Sequence, residues 1–167
     1  GLGGHDGSAG MLFSQSYINQ VGALTPDNYL VSPTKMTVQD GAVISFWAAA
    51  QDAGYPAEHY GVAVSTASNT NANDFTTIWE ETMTAKRAAT VDAYAKSEIR
   101  GTRAQGLWYQ KTIDLSAYAG QEIWVAIRHF NCTDCFLLLV DDVVLTTDGT
   151  LPPTPPTPPT SQALIDE

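Results

Sequence analysis

The chain is short of positive charge, of cysteine and of long apolar runs, and each shortage removes a class of function. Eight lysines and arginines stand against 18 aspartates and glutamates, a formal net charge of −10 over 167 residues. Such a field repels phosphate backbones and anionic lipid, so nucleic acid is excluded as a partner, while cations and basic patches on other proteins are favoured. No stretch approaches the roughly 20 apolar residues of a membrane span. The opening GLGGHDGSAG has neither the charged start nor the apolar middle of a signal peptide. If exported, the chain is expected to be a processed piece of something longer.

Only two cysteines are present, in Cys132-Thr-Asp-Cys135. A redox CxxC wants a helix N-terminus to lower the thiol pKa, whereas the flanking AIRHF and FLLLVDDVVL read as strands, so a local disulfide or two free thiols is expected. Structural zinc is not expected, because such a site takes four ligands and no second Cys or His pair supplies the other two. Catalytic signatures are missing as well: there is no GxSxG, no HExxH, no Gly-rich phosphate loop and no EF-hand spacing. His5, His59 and His129 are isolated in sequence and read as packing or surface residues. Glu80 and Glu81 are neighbours on a strand and point to opposite faces, so they cannot act together on one substrate. A non-enzyme is the expectation.

What the chain does have is strand signal. AVISFWAAA (42–50), YGVAVST (60–66), FTTIWEETMT (75–84), GLWYQKTIDL (106–115), EIWVAIRHF (122–130) and FLLLVDDVVLTT (136–147) are rich in β-branched and aromatic residues with period-2 stretches. In LTPDNYLVSP (24–33), Pro26-Asp27-Asn28 and Ser32-Pro33 are turn chemistry that brackets a short strand at Tyr29-Leu30-Val31. Asp27 at that entry reads as a cap, a calcium ligand or neither. The pattern predicts an all-β sandwich of two antiparallel sheets over residues 1–148. Residues 88–100 mix Ala, Glu and Lys and read as a loop with one or two helical turns. LPPTPPTPPT (151–160) has Pro at six of ten positions, which enforces a polyproline II spacer over 149–160, with 161–167 starting another segment.

Two places invite a functional reading. Asp141-Asp142 interrupts a run of buried-strand composition, and because neighbours alternate faces, one carboxylate must turn inward or to a sheet edge. Calcium, a hard cation that takes oxygen ligands, would answer that charge; so would backbone N–H groups or an Arg such as Arg128. AGYPAEHYG (53–61) places Tyr55, His59 and Tyr60 in a Gly/Pro-punctuated loop, where amphipathic side chains suit a ligand-facing patch. For Tyr60 core packing is the competing reading.

GALTPDNYLVSP, ISFWAAAQDAGYPAEHYGVAVS, LWYQKTIDL, VAIRHFNCTD and LLLVDDVVL stand in the order and spacing of the cleaved-adhesin domains of the gingipain proteases and related haemagglutinins of Porphyromonas. The resemblance covers roughly residues 4 to 148. It implies a jelly-roll β-sandwich of the galactose-binding or MAM type, stabilised by calcium, without catalysis, at the bacterial cell surface or secreted. It also implies cutting from a polyprotein and binding of haemoglobin, haem, and host matrix or plasma proteins, with other fragments of the polyprotein as further partners. In similar jelly rolls the first acid of the closing pair reaches a calcium near the domain's N-terminus. Asp141 is then the first metal ligand, Asp142 the second, and Asp27, in the family's PDNYL turn, a third; Tyr55, His59 and Tyr60 fall in the family's tyrosine-containing loop. Relatives usually carry an upstream strand and a DxDGDG-like segment. This chain starts after them, so an unpaired edge is expected beside the strand of Asp141. The alternative function is a carbohydrate-binding module with an aromatic platform drawn from Trp47, Tyr55, Tyr60, Trp79, Trp108 and Trp124.

Overall fold

The computed structural model describes residues 4–84 and 106–150. The helical turns expected over 88–100, the Pro/Thr spacer beyond residue 150 and the segment after it lie outside these residues. Among the described residues eleven strands are formed: β1 (Leu12–Gln15), β2 (Tyr17–Ile18), β3 (Gly22–Ala23), β4 (Asn28–Val31), β5 (Met36–Thr37), β6 (Val43–Ala50), β7 (His59–Ser65), β8 (Thr76–Thr82), β9 (Tyr109–Asp114), β10 (Glu122–His129) and β11 (Leu137–Thr146). One sheet runs β1-β11-β6-β9 and the other β4-β10-β7-β8, with β5 also on β10; β2 and β3 make a small hairpin. Their pairings are antiparallel. The architecture is the two-sheet, all-β sandwich that the period-2 runs predict.

Alternation decides what fills the space between the sheets. Ile44, Phe46, Ala48 and Ala50 of β6 and Leu138 and Val140 of β11 meet Tyr60, Val62 and Val64 of β7 and Ile123, Val125 and Ile127 of β10 in one core. The outer face of the first sheet is also covered, since Ala49, Leu137 and Leu139 pack with Met11, Trp108 and Phe136. Burial on both faces explains why AVISFWAAA and FLLLV read as nearly continuous apolar runs instead of alternating ones. Each of the six long strands lies within its sequence-predicted segment or one residue outside it.

The edge beside β11 differs from expectation. β1 pairs with it from Leu12↔Val140 to Gln15↔Leu137. The first half of β11 is therefore covered, and β1 becomes the edge. It is a short edge, as edges that resist uncontrolled pairing are, yet Leu12 and Phe13 are about half exposed on it (51% and 56%). Between β1 and β4, where the two sheets part, lies an open groove of about 440 Å³ walled by Leu12, Phe13, Leu24, Leu30, Leu138 and Val140.

Candidate functional site

The Asp141-Asp142 pair sits where β11 breaks its register with β6, between Asp141 and Val144. Asp142 adopts φ 49°, a left-handed conformation that Asp tolerates better than most residues. This bulge cancels the parity argument: both carboxylates turn to the same neighbour, His5. Asp141 Oδ2 accepts from the His5 amide (2.9 Å) and the Ser8 hydroxyl (2.5 Å), Asp141 Oδ1 accepts from the Asp142 amide (2.8 Å), and Asp142 Oδ2 lies 2.8 Å from His5 Nδ1. His5 is itself buried, stacked on Trp47 at 3.7 Å. The loop comes this close because residue 4 is glycine; a Cβ there would meet Asp141 Oδ2 at 2.7 Å. Neither acid is buried, and the charge of Asp141 is met by N–H and O–H donors, the alternative to calcium that the sequence left open.

Asp27 is placed elsewhere. Its two oxygens accept from Arg128 Nε (2.7 Å) and Nη2 (3.1 Å), and Arg128 also donates to Thr77. The register of β4 on β10, with Tyr29 opposite Arg128, brings the two together. Asp27, Asp141 and Asp142 thus do not form one metal set: Asp27 belongs to the second sheet and is held by a bidentate ion pair. The remaining set, two carboxylates and the Ser8 hydroxyl, suits calcium in kind, since all are oxygens. In number it falls short of the six to eight oxygens, or about that, which calcium takes.

The tyrosine loop is also divided by the structure. Tyr60 is corrected from ligand patch to core: it is fully buried, edge-on to Phe46 and Trp79, and its hydroxyl donates to Glu81 at 2.5 Å. The physical reason is strand parity, because residues 60, 62 and 64 share the inner face of β7. His59 stands on the other face with its side chain 14% exposed, Nδ1 2.9 Å from Thr82 Oγ1, and edge-on to Phe130 at 4.8 Å. Tyr55 is half-buried. Of the residues named for an aromatic platform, Trp47 is capped by His5, Trp124 carries Lys35 over its ring at 4.8 Å, and Trp79 carries Lys111 at 5.8 Å.

The most fully built polar cluster is one that sequence reasoning missed. Glu58, in the loop before β7, is completely buried. Its Oε1 accepts from Ser16 Oγ (2.9 Å) and the Phe136 amide (2.8 Å); its Oε2 lies 2.9 Å from His129 Nε2 and 3.4 Å from Cys132 Sγ. Cys132 Sγ is 3.1 Å from His129 Nε2, and His129 Nδ1 is 2.7 Å from Ser14 Oγ. The loop after β10 returns Cys132 to this place through left-handed backbone at Asn131 (φ 52°) and Asp134 (φ 59°), residue types that accept it at small cost. Burial, reinforced by the Glu58 charge against a lowering bond from the His59 backbone, pushes the Cys132 thiol up to about 12, so it stands as a protonated donor. Neither cysteine is joined in a disulfide. A lone Glu before a strand is the one local cue to it, because the cluster draws on four separated segments.

Fold and clusters together define a class: an antiparallel sandwich whose polar clusters tie loops and strand ends to the sheets. A family profile for the Cleaved Adhesin Domain matches residues 2–145, and the chain belongs to that family. It is 47% identical over 144 residues to Hemagglutinin A of Porphyromonas gingivalis, covering 86% of this chain and 6% of that protein. Against Lys-gingipain W83 of the same organism it is again 47% identical over 144 residues, covering 86% and 8%. Among solved structures, the K3 cleaved adhesin domain of Lys-gingipain from that organism superposes with a TM-score of 0.73 at 46% identity, covering 87% of this chain and 77% of that one. The K1 domain gives 0.66 at 42% identity, covering 83% and 75%. The chain thus spans less than a tenth of these two curated relatives, and corresponds to an adhesin module within them.

Proposed function

We propose that this module binds host proteins at the bacterial surface, haemoglobin and matrix or plasma proteins among them, through the β1 edge and the groove beside it, without catalysing a reaction. The observation that carries this reading is the exposed pair Leu12 and Phe13 on an edge strand, bordering an apolar groove in a chain of net charge −10. An apolar contact area in an acidic field fits a basic, partly apolar partner surface, with the field speeding encounter and the apolar contact slowing release. Tyr55 and His59 are a second, smaller contact; with Tyr60 in the core and His59 largely covered, that loop offers less area than the groove. The carbohydrate alternative is weakened because Trp47, Trp79 and Trp124 have ring faces covered by the chain's own side chains.

The test is a binding panel of haemoglobin, matrix and plasma proteins beside a glycan array, with wild type, Phe13→Asp and the double variant Tyr55→Ala/His59→Ala. Phe13→Asp is expected to lower affinity for the bound protein at least ten-fold with the fold intact, and the loop double variant two- to five-fold, in line with about 1.4 and 0.4–1 kcal/mol. Unchanged binding in Phe13→Asp removes the groove from the reading, and glycan binding without protein binding replaces it with the carbohydrate one. Calcium is proposed as a stabiliser at Asp141 and Asp142, with Ser8 the third oxygen and water completing the shell. A melting temperature that rises with calcium in the wild type and not in Asp141→Ala is expected; equal melting of both in calcium and in chelator rejects it.

A further inference from the structure

We propose that Glu58, His129 and Cys132 form a binding site for a zinc-class divalent cation, entered from the cleft that Cys132 lines. Among the described residues this is the one group whose carboxylate, imidazole and thiol ligand atoms all lie within 4.8 Å of one another. The separations are 2.9 Å from Oε2 to Nε2, 3.1 Å from Nε2 to Sγ and 3.4 Å from Sγ to Oε2. Around tetrahedral zinc, bonds of about 2.0–2.1 Å to N and O and about 2.3 Å to S set edges of roughly 3.3–3.6 Å. Each atom therefore has to yield only a few tenths of an ångström. Sulfur, nitrogen and one carboxylate oxygen select a borderline-soft ion over calcium or magnesium, which take oxygen.

The surroundings hold these ligands in place. His129 Nδ1 is 2.7 Å from Ser14 Oγ, so the ring can carry its proton there and turn an unprotonated Nε2 to the ion. Glu58 Oε1 is fixed by Ser16 and the Phe136 amide, which leaves Oε2 as the coordinating oxygen. Binding releases one proton, from the Cys132 thiol to solvent, because the ion's own charge deprotonates a coordinating thiol. Thiolate and carboxylate then neutralise the divalent charge, which removes the objection to burying it. Cys132 also borders an open cleft of about 470 Å³ with Thr25, Pro26, Arg128, Phe130 and Thr133, which supplies the entry path and room for water at the fourth position. Three protein ligands and an open position answer the expectation that zinc has too few ligands here: His129 stands three residues before Cys132, and the fold adds Glu58 from a distant loop. Cys135, despite the CxxC spacing, is outside the set.

Cobalt(II) titrated into the full 167-residue chain, with zinc as competitor, is the direct test. One equivalent should produce a thiolate-to-cobalt charge-transfer band in the near ultraviolet and tetrahedral bands in the visible, both erased by zinc. Cys132→Ser should abolish the near-ultraviolet band, Glu58→Gln should weaken cobalt binding at least ten-fold, and Cys135→Ser should change neither. Absence of the band, its persistence in Cys132→Ser, or its loss in Cys135→Ser overturns the assignment. Should Cys132→Ser fail to fold, alkylation of the wild type decides: one equivalent of zinc should slow iodoacetamide modification of Cys132, read by peptide mass spectrometry, at least ten-fold. An unchanged rate overturns the proposal as well.

Discussion

Replacing Glu58 tests the energetic importance of its cluster. In Glu58→Ala, four groups that now face the carboxylate lose it: the Phe136 amide, the Ser16 hydroxyl, the His129 ring and the Cys132 thiol. A buried donor left without an acceptor costs about 1–3 kcal/mol. Ser16 and Cys132 can rotate their protons and His129 can change tautomer, but the Phe136 amide is fixed just before β11 and bears the full cost. Adding the void left by the side chain, the loss should be about 3–5 kcal/mol, a large share of the roughly 5–15 kcal/mol that holds a domain folded. Glu58→Gln is the control for charge. Its amide oxygen can keep Phe136 and Ser16, and its NH2 can donate to His129, so about 1–2 kcal/mol is expected.

Urea unfolding followed by the fluorescence of the four tryptophans, in chelator so that no bound ion contributes, reads both variants. Glu58→Ala within about 1 kcal/mol of wild type would refute the accounting, because stranded donors cannot be that cheap. Glu58→Gln costing as much as Glu58→Ala would refute it differently, by showing that an ionised His129 was the group requiring the carboxylate's charge.

Asp27 and Arg128 should part company on mutation. Asp27→Ala removes an exposed ion pair and should cost about 0.5 kcal/mol, vanishing in high salt, whereas Arg128→Ala also removes a guanidinium lying 4.1 Å from the Phe130 ring centre and should cost about 1–2 kcal/mol at any salt. Equal costs would show that the stacking contributes nothing. Burial, then the bond to Glu81, pushes the Tyr60 phenol far above its usual value near 10. The unfolded chain therefore loses this proton above about pH 10 while the folded one keeps it, so the contribution is full below pH 10 and declines above. Tyr60→Phe should lose about 1–2 kcal/mol at neutral pH and show a shallower alkaline decline than wild type in unfolding midpoints; parallel declines would place the effect on other groups.

Strand positions were legible because a half-buried strand writes its period into the sequence, and the residues of β6, β7 and β10 that fill the core are those that alternation selects. The same rule, applied strictly to residues 60, 62 and 64, also assigns Tyr60 to the core; its place in a punctuated loop pulled the reading the other way. Alternation failed at Asp141-Asp142 for a definite reason: a bulge adds a residue to one strand and resets the faces, and nothing in LVDDVV marks it. Asp27–Arg128 needed the register of β4 on β10, which no local pattern carries. His129 and Cys132 are neighbours at the end of β10, but Glu58 reaches them only when the loop before β7 closes against that end, and no local pattern carries that approach.

The two polar clusters stand on either side of β1, and that placement bears on adhesion. Before the strand, His5 and Ser8 are fastened to Asp141; within and after it, Ser14 meets His129, and Ser16 bonds Glu58 while exchanging backbone bonds with Phe136, Asp134 and Leu24. Leu12 and Phe13 are therefore presented on a strand anchored at both ends, and an edge already ordered loses less entropy when a partner covers it. Ser8→Ala releases one hydroxyl bond of the first anchor without touching the proposed contact face. Amide hydrogen exchange over residues 11–15 should speed several-fold in that variant, the change expected for about 1 kcal/mol of lost local stability, while the strands of the core stay protected. Affinity for the host protein should fall by less than in Phe13→Asp. Unchanged exchange in this stretch would show that the pairing of β1 with β11 alone orders the edge, and that the Asp141 cluster plays no part in presenting it.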